Sequence, residues 1–105
     1  MELHQFESNT ETLILAIQGD MDAIGCRDIQ PTIDEVLQQE HHQVQIDLAQ
    51  VAFLDSSGIG AIVYLYKRLI EKERTMQIQN AHGQPLELLK LLRIENAIPV
   101  NSTTH

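Results

Sequence analysis

A lone cysteine, Cys26, cannot close an internal disulfide, which removes small secreted, disulfide-stapled folds from consideration. Basic residues are also scarce: seven Lys+Arg stand against fifteen Asp+Glu, for a formal net charge of −8. That balance argues against a nucleic-acid binder, whose phosphate contacts need a basic surface. No apolar run approaches the ~18 residues that span a bilayer, so no membrane insertion is expected. Met1-Glu2-Leu3-His4 has neither the basic start nor the apolar stretch of a secretory signal. The expected location is therefore cytoplasmic. No repeat, low-complexity tract or long linker appears, and 105 residues suit one core of roughly 100–150. One domain over residues 1–105 is expected. At 43% hydrophobic and 21% charged, the chain can fill that core.

The charge is unevenly spread. Residues 1–50 hold ten acids and one base, Arg27, a net of −9, whereas residues 51–105 hold five acids and six bases, a net of +1. Lys67, Arg68, Lys72 and Arg74 form a local basic segment. Solubility alone would account for the acids; steering toward a basic protein surface would use the same field.

Periodicity gives an α/β chain. Residues 12–17 form a short, nearly all-apolar run suited to a central strand buried on both faces. Residues 3–7 precede it across Ser8-Asn9-Thr10, a turn-forming set, and can pair with it as an antiparallel hairpin. Val44, Ile46 and Leu48 alternate with Gln45 and Asp47, and Met76 and Ile78 with Gln77 and Gln79, giving strands with one wet face. Ile29, Ile33, Val36 and Leu37 mark an amphipathic helix, with Pro31 either in its first turn or at a kink. Ile59, Ile62, Val63, Tyr66, Leu69 and Ile70 mark a longer helix ending near Lys72. Leu86, Leu88, Leu89, Leu91 and Leu92 mark a third, with Pro85 in its first turn. Residues 98–100 add a short last strand before a frayed tail to 105. The order is β-β-α-β-α-β-α-β. It predicts a mixed, mostly parallel sheet of four to five strands with helices mainly on one face.

One segment carries specific chemistry. The apolar stretch ending in Phe53-Leu54 runs straight into Asp55-Ser56-Ser57-Gly58-Ile59-Gly60, and a helix begins at once. Asp55 and Ser56 are both good N-cap residues, and capping alone would explain them. Gly58 and Gly60 each cost up to ~1 kcal/mol of helix propensity, which points to a close backbone approach or tight helix–sheet packing. A hydroxyl here stands at the positive end of a helix. Phosphorylation would add ~1.5–2 negative charges where the dipole tolerates them, and a partner docked over the tip would meet a new charge.

Phe53-Leu54-Asp55-Ser56-Ser57-Gly58-Ile59-Gly60 resembles the signature of the STAS domain family, the bacterial anti-sigma factor antagonists. Ile17-Gln18-Gly19-Asp20-Met21-Asp22 is similar to the family's Gly-Glu-Leu-Asp turn after its second strand. Tyr66-Lys67-Arg68 falls where members carry a basic stretch, and the element order matches over about residues 13–92. The resemblance implies a partner-switching regulator and not an enzyme. In the family, the unphosphorylated antagonist binds a serine kinase that is also an anti-sigma factor or other effector-binding regulator. Phosphorylation of the first serine after the Asp, here Ser56, breaks the complex, and a metal-dependent serine phosphatase restores it. Carried over, Asp20, Met21 and Asp22 form a loop on the same docking surface as Asp55, Ser56, Ser57 and Gly58. Asp55 positions its neighbour, and Ser57 and Gly58 supply amides at the helix tip. No cofactor belongs to this chain; ATP and Mg²⁺ belong to the kinase. The output that the resemblance implies is transcription or biofilm and surface-polysaccharide control. Where members carry a further helix after the last strand, this sequence has the polar residues 99–105.

The remaining candidates read plainly. His41-His42 suits a polar turn better than a metal site, because adjacent histidines diverge. His82-Gly83 suits a turn before the third helix. Cys26, near the first helix, would have its thiol pKa lowered by a helix dipole, yet it reads as a structural thiol. Tyr66 joins the core stripe while Tyr64 faces out. Gly58-Ile59-Gly60 lacks the Lys-Ser/Thr of a phosphate-binding P-loop, and no Gly-x-Ser-x-Gly elbow surrounds Ser56 or Ser57. Two rival functions remain: a constitutive STAS subunit of a lipid-transport ATPase complex, and a small-ligand or nucleotide-sensing domain using the helix tip as an anion site.

Overall fold

The structure, a computed structural model, describes residues 1–101. It begins with a hairpin of β1 (Glu2–Asn9) and β2 (Thr12–Gln18), paired antiparallel with Phe6 opposite Ile14. The Asn9 side chain accepts the Glu11 amide at 2.8 Å and closes the turn. After a loop come α1 (Gln30–Gln38), β3 (Gln43–Gln50), α2 (Ser56–Glu71), β4 (Thr75–Gln79), α3 (Gly83–Leu91) and a 3₁₀ turn at Ile94–Asn96. The four strands lie in the order β1-β2-β3-β4, with β2, β3 and β4 parallel. The expected α/β class and mixed, mostly parallel sheet are therefore present. The expected last strand shrinks to one parallel bridge, Ile78 to Val100. The expected tail lies, from residue 102 on, outside the described residues.

The alternating strands put Leu13, Leu15 and Ile17, Val44, Ile46 and Leu48, and Met76 and Ile78 on one face, all buried. Ile33 and Val36 of α1, Ile62, Leu65 and Leu69 of α2 and Leu89 of α3 close over that face in the same cluster. Ile14 and Ala16 on the opposite face are half-buried, so β2 is less enclosed than its all-apolar run suggests. Pro31 sits in the first turn of α1, where the missing amide has no intrahelical partner to lose.

Several expectations need correction. The buried stripe of α2 runs Gly58, Ile62, Leu65, Leu69, so Ile70 faces solvent at 47% exposure. Apolar residues alone phase the stripe from Ile59, because a glycine does not register as apolar, although Gly58 is what packs against Leu54 and Met21. In α3 only Pro85 and Leu89 are buried, and Leu91 is 77% exposed. Gln77, assigned to the wet face, is buried and accepts a hydrogen bond from the Gln79 side-chain amide at 3.1 Å.

His41 and Arg74 also turn inward. His41 Nε2 lies 2.8 Å from the Glu7 carboxylate. Arg74 donates from Nε to the His41 carbonyl and from Nη1 to the carbonyls of Val36 and Leu37 at 3.3 and 3.4 Å. It thereby caps the C-terminal end of α1, where carbonyls lack intrahelical partners, and does not extend the surface basic segment. Burial lowers its pKa from the ordinary arginine value. Arg74→Ala should lower the unfolding free energy by about 2–3 kcal/mol, the scale of hydrogen bonds to a charged group. Urea denaturation measures it, and a loss under about 0.5 kcal/mol would show that the cap is dispensable.

Candidate functional site

At the C-terminal edge of the parallel strands, the loop after β2 and the segment before α2 are tied together by backbone hydrogen bonds. The Gly19 amide donates to the Gln50 carbonyl at 3.1 Å and the Met21 amide to Phe53 at 2.9 Å; the Asp55 amide donates back to Met21 at 3.2 Å. Met21 and Leu54 form a parallel bridge, so the β2–β3 ladder resumes beyond the strands. From the other side, Gln84 of α3 grips Leu54 twice. Its carbonyl oxygen accepts the Leu54 amide at 2.8 Å, and its amide donates to the Leu54 carbonyl at 2.7 Å. Three separate chain segments thus fix the backbone immediately before α2.

Asp55 caps α2. Its Oδ1 accepts the Ser57 amide at 2.8 Å and the Gly58 amide at 3.3 Å. The cap role therefore falls to Asp55, and the adjacent Ser56 is exposed as the first helical residue. The amides of Ser57 and Gly58, expected at the tip for a partner, are held by Asp55.

Gly58 is buried for a steric reason. A Cβ there would collide with Leu54 Cδ1 and stand 2.6 Å from the Met21 carbonyl oxygen. A side chain would push α2 off the Met21 strap. Gly60 differs: a Cβ there meets nothing within 4 Å, and the residue is exposed. The close approach inferred from two glycines is internal at Gly58 only.

The candidate residues separate into two layers. Asp20 and Ser56 are exposed, and Asp22, Asp55 and Ser57 are half-buried. Met21 does not belong on the surface, being 1% exposed. Its side chain anchors the loop in the core, and what it offers its surroundings is backbone. Asp22 Oδ1 accepts the Gly25 amide at 2.7 Å and rounds the loop, which then raises Ile24 to 75% exposure; Phe53 is 42% exposed. Cys26 is half-buried, with its thiol pKa raised by burial and then by Asp55 and Asp22. That reverses the lowering expected from a helix dipole, because α1 starts only at Gln30. Sequence reading missed Gln84, Ile24 and Phe53. A glutamine following His82-Gly83 has no local signature, and isolated apolar residues in loops carry no period.

An open groove of about 840 Å³ lies at the other end of the parallel strands, lined by Asp34, Glu40, Glu73, Lys72 and Arg74 among others. It mixes both signs of charge and takes no part in the Ser56 tip.

The STAS domain model matches residues 4–105. The chain belongs to the STAS domain family. Among curated relatives, it is 23% identical over 88 residues to an anti-sigma-B factor antagonist of Staphylococcus epidermidis, covering 84% of this chain and 82% of that protein. Among solved structures, an anti-sigma factor antagonist from Mycobacterium paratuberculosis is similar at TM-score 0.83 and 19% identity, over 97% of this chain and 87% of that one. The anti-sigma factor antagonist SpoIIAA in its unphosphorylated form gives TM-score 0.74 at 16% identity, over 98% and 90% of the two chains. Its phosphorylated form, from Bacillus, gives 0.73 at 15%, over 96% and 92%. At these identities the structural likeness establishes the STAS fold.

Gly58→Ala should cost about 1–3 kcal/mol despite the better helix propensity of alanine, as overpacking does. Thermal denaturation beside wild type checks it; an unchanged or raised melting temperature would show that α2 does not rest on the Met21 strap.

Proposed function

We propose that this STAS chain is a partner-switching regulator of the anti-sigma factor antagonist type, controlled by phosphorylation of Ser56. In this reading it is a substrate and binding protein, not an enzyme, and it acts in the cytoplasm. The observation that carries the reading is the division of labour at the tip: Asp55 caps the helix, while the neighbouring Ser56 is exposed beside it. A hydroxyl without the capping duty can be modified without unravelling α2.

The partner in this reading is a serine kinase that doubles as an anti-sigma factor or other effector-binding regulator. Ser56 Oγ forms a bond to the γ-phosphorus of the kinase's ATP. The bond from that phosphorus to the bridging oxygen breaks, ADP leaves, and the hydroxyl proton passes to a base on the kinase. The product phosphate, ~1.5–2 charges, then faces the nucleotide phosphates that delivered it. Repulsion at close range is worth about 1–4 kcal/mol at surface-like dielectric, a roughly ten- to thousandfold loss of affinity. A metal-dependent serine phosphatase resets the switch. The fold need not change, since the phosphate sits at a helix N-terminus. The chain's similarity to both the unphosphorylated and the phosphorylated SpoIIAA structures supports that point. Whether the output is transcription or biofilm and surface-polysaccharide control lies with the partner's other ligand.

Ser56→Ala should retain kinase binding, and Ser56→Asp should weaken it about tenfold or more. Titration calorimetry measures both, and equal affinities would remove the charge switch. Intact mass of the protein from its own cell should show a phosphorylated fraction at Ser56. Its complete absence in every growth state would favour a permanent subunit of a larger assembly, such as a lipid-transport ATPase complex.

A further inference from the structure

Two side-chain amides each bracket one residue of distant backbone. Gln84, the second residue of α3, accepts the Leu54 amide at 2.8 Å and donates to the Leu54 carbonyl at 2.7 Å. Asn101 does the same to Ala81: its Oδ1 accepts the Ala81 amide at 2.9 Å, and its Nδ2 donates to the Ala81 carbonyl at 2.8 Å. Between the two clasps lies the turn from β4 into α3, and side chains hold it to the end of β3. Asn80 donates to the Asp47 carboxylate at 3.0 Å, and the Ala49 carbonyl accepts from His82 Nε2 at 3.0 Å. Asn80 and Gly83 take left-handed φ of 60° and 57°, which asparagine and glycine adopt at least cost. The Asn101 amide is itself tied to the Ile78 carbonyl at 2.8 Å. A connected series of hydrogen bonds therefore runs from the last described residue to α3, and on to the backbone two residues before Ser56.

We infer that Gln84 is a positioning residue for Ser56 and that Asn101 acts through it, so that the segment at residues 98–101 regulates phosphorylation of Ser56 through backbone geometry. The inference rests on the partner-switching reading and adds a regulation of the same site.

A side chain that grips both backbone groups of one residue stops it from sliding and from rotating. Leu54 is fully buried, so no water stands ready to replace a lost partner. Phosphoryl transfer needs the serine oxygen in line with the bond that breaks, and a misplacement of about 1 Å can cost about 10²-fold in rate. Gln84 and Asn101 therefore act on the rate of transfer, through where the Ser56 oxygen stands, and leave the exposed groups around Ser56 in place.

The test uses the kinase purified from the native cell by its ATP-dependent transfer of phosphate to Ser56 of the full chain. It measures kcat and KM for that transfer, and amide exchange of the chain alone by NMR. Gln84→Ala should lower kcat about tenfold or more with KM within about twofold, and its Leu54 amide should exchange about tenfold or more faster. Gln84→Glu keeps the acceptor for the Leu54 amide and loses the donor, so it should fall between; should Gln84→Ala not fold, it carries the comparison. Asn101→Ala should lower kcat and speed Leu54 exchange about threefold. Added to Gln84→Ala, it should lower kcat no further. Arg74→Ala destabilises the other end of the strands and should leave kcat and KM unchanged, which separates position from stability. Wild-type kcat in Gln84→Ala, or an equal loss in Arg74→Ala, overturns the inference. So does a change confined to KM, which would make Gln84 a docking residue, and so do losses that multiply in the double variant. If no kinase acts on Ser56, the partner-switching reading fails and takes the phosphorylation half of the inference with it. A Leu54 amide that exchanges in Asn101→Ala as in wild type overturns the relay itself.

Discussion

Met21 is gripped from both of its backbone faces. Its amide donates to Phe53, and its carbonyl accepts from Asp55, while its side chain is buried in the core. Everything at the tip depends on that clasp. It carries the β2–β3 pairing past the ends of the strands and aims the start of α2 outward. It also explains Gly58, because the helix lies against the Met21 carbonyl at a distance no side chain tolerates. Gln84 locks the same segment from α3. A position fixed by three segments is pre-organised, so under the proposed reading a kinase would meet Ser56 in one geometry.

A rigid tip suits a switch that works by charge. With the backbone amides of Ser57 and Gly58 held by Asp55, the proposed modification need not repack the core, and its signal would be read across an interface. The acidic bias of residues 1–50, a net of −9, places Asp20 and Asp22 beside that tip. A partner of the proposed kind would have to match a field that already exists before any phosphate is added. STAS membership fixes the fold; in the proposed reading the partner and its downstream ligand set the output.

Much of the architecture was legible because alternation and helical spacing leave strong marks. Val44, Ile46 and Leu48 announce one buried face, whereas Pro31 allows either a first turn or a kink, and the structure places it in the first turn of α1. Asp55-Ser56-Ser57-Gly58 announced a capped helix and, through the family it resembles, the residue to watch. Three of the failures share a cause, a contact distant in sequence. Arg74 reaches back to the carbonyls of α1, Gln84 reaches back to Leu54, and Met21 enters the core only because β3 leads on to Phe53. The α2 stripe was misphased because a buried glycine contributes packing without any hydrophobic signal. Residues 98–100 suit a short strand by sequence, whereas the sheet edge gives them one bridge.

The central claim is that a phosphate at Ser56 changes what the surface offers and leaves the body of the domain alone. Amide NMR spectra of the chain with serine and with phosphoserine at position 56 test this most directly. The account predicts shifts confined to the loop after β2, the segment before α2 and the first turns of α2, with the core amides of β2, β3 and β4 unmoved. Shifts or lost protection spreading through those strands would contradict it, and would mean that the switch works by refolding and not by charge.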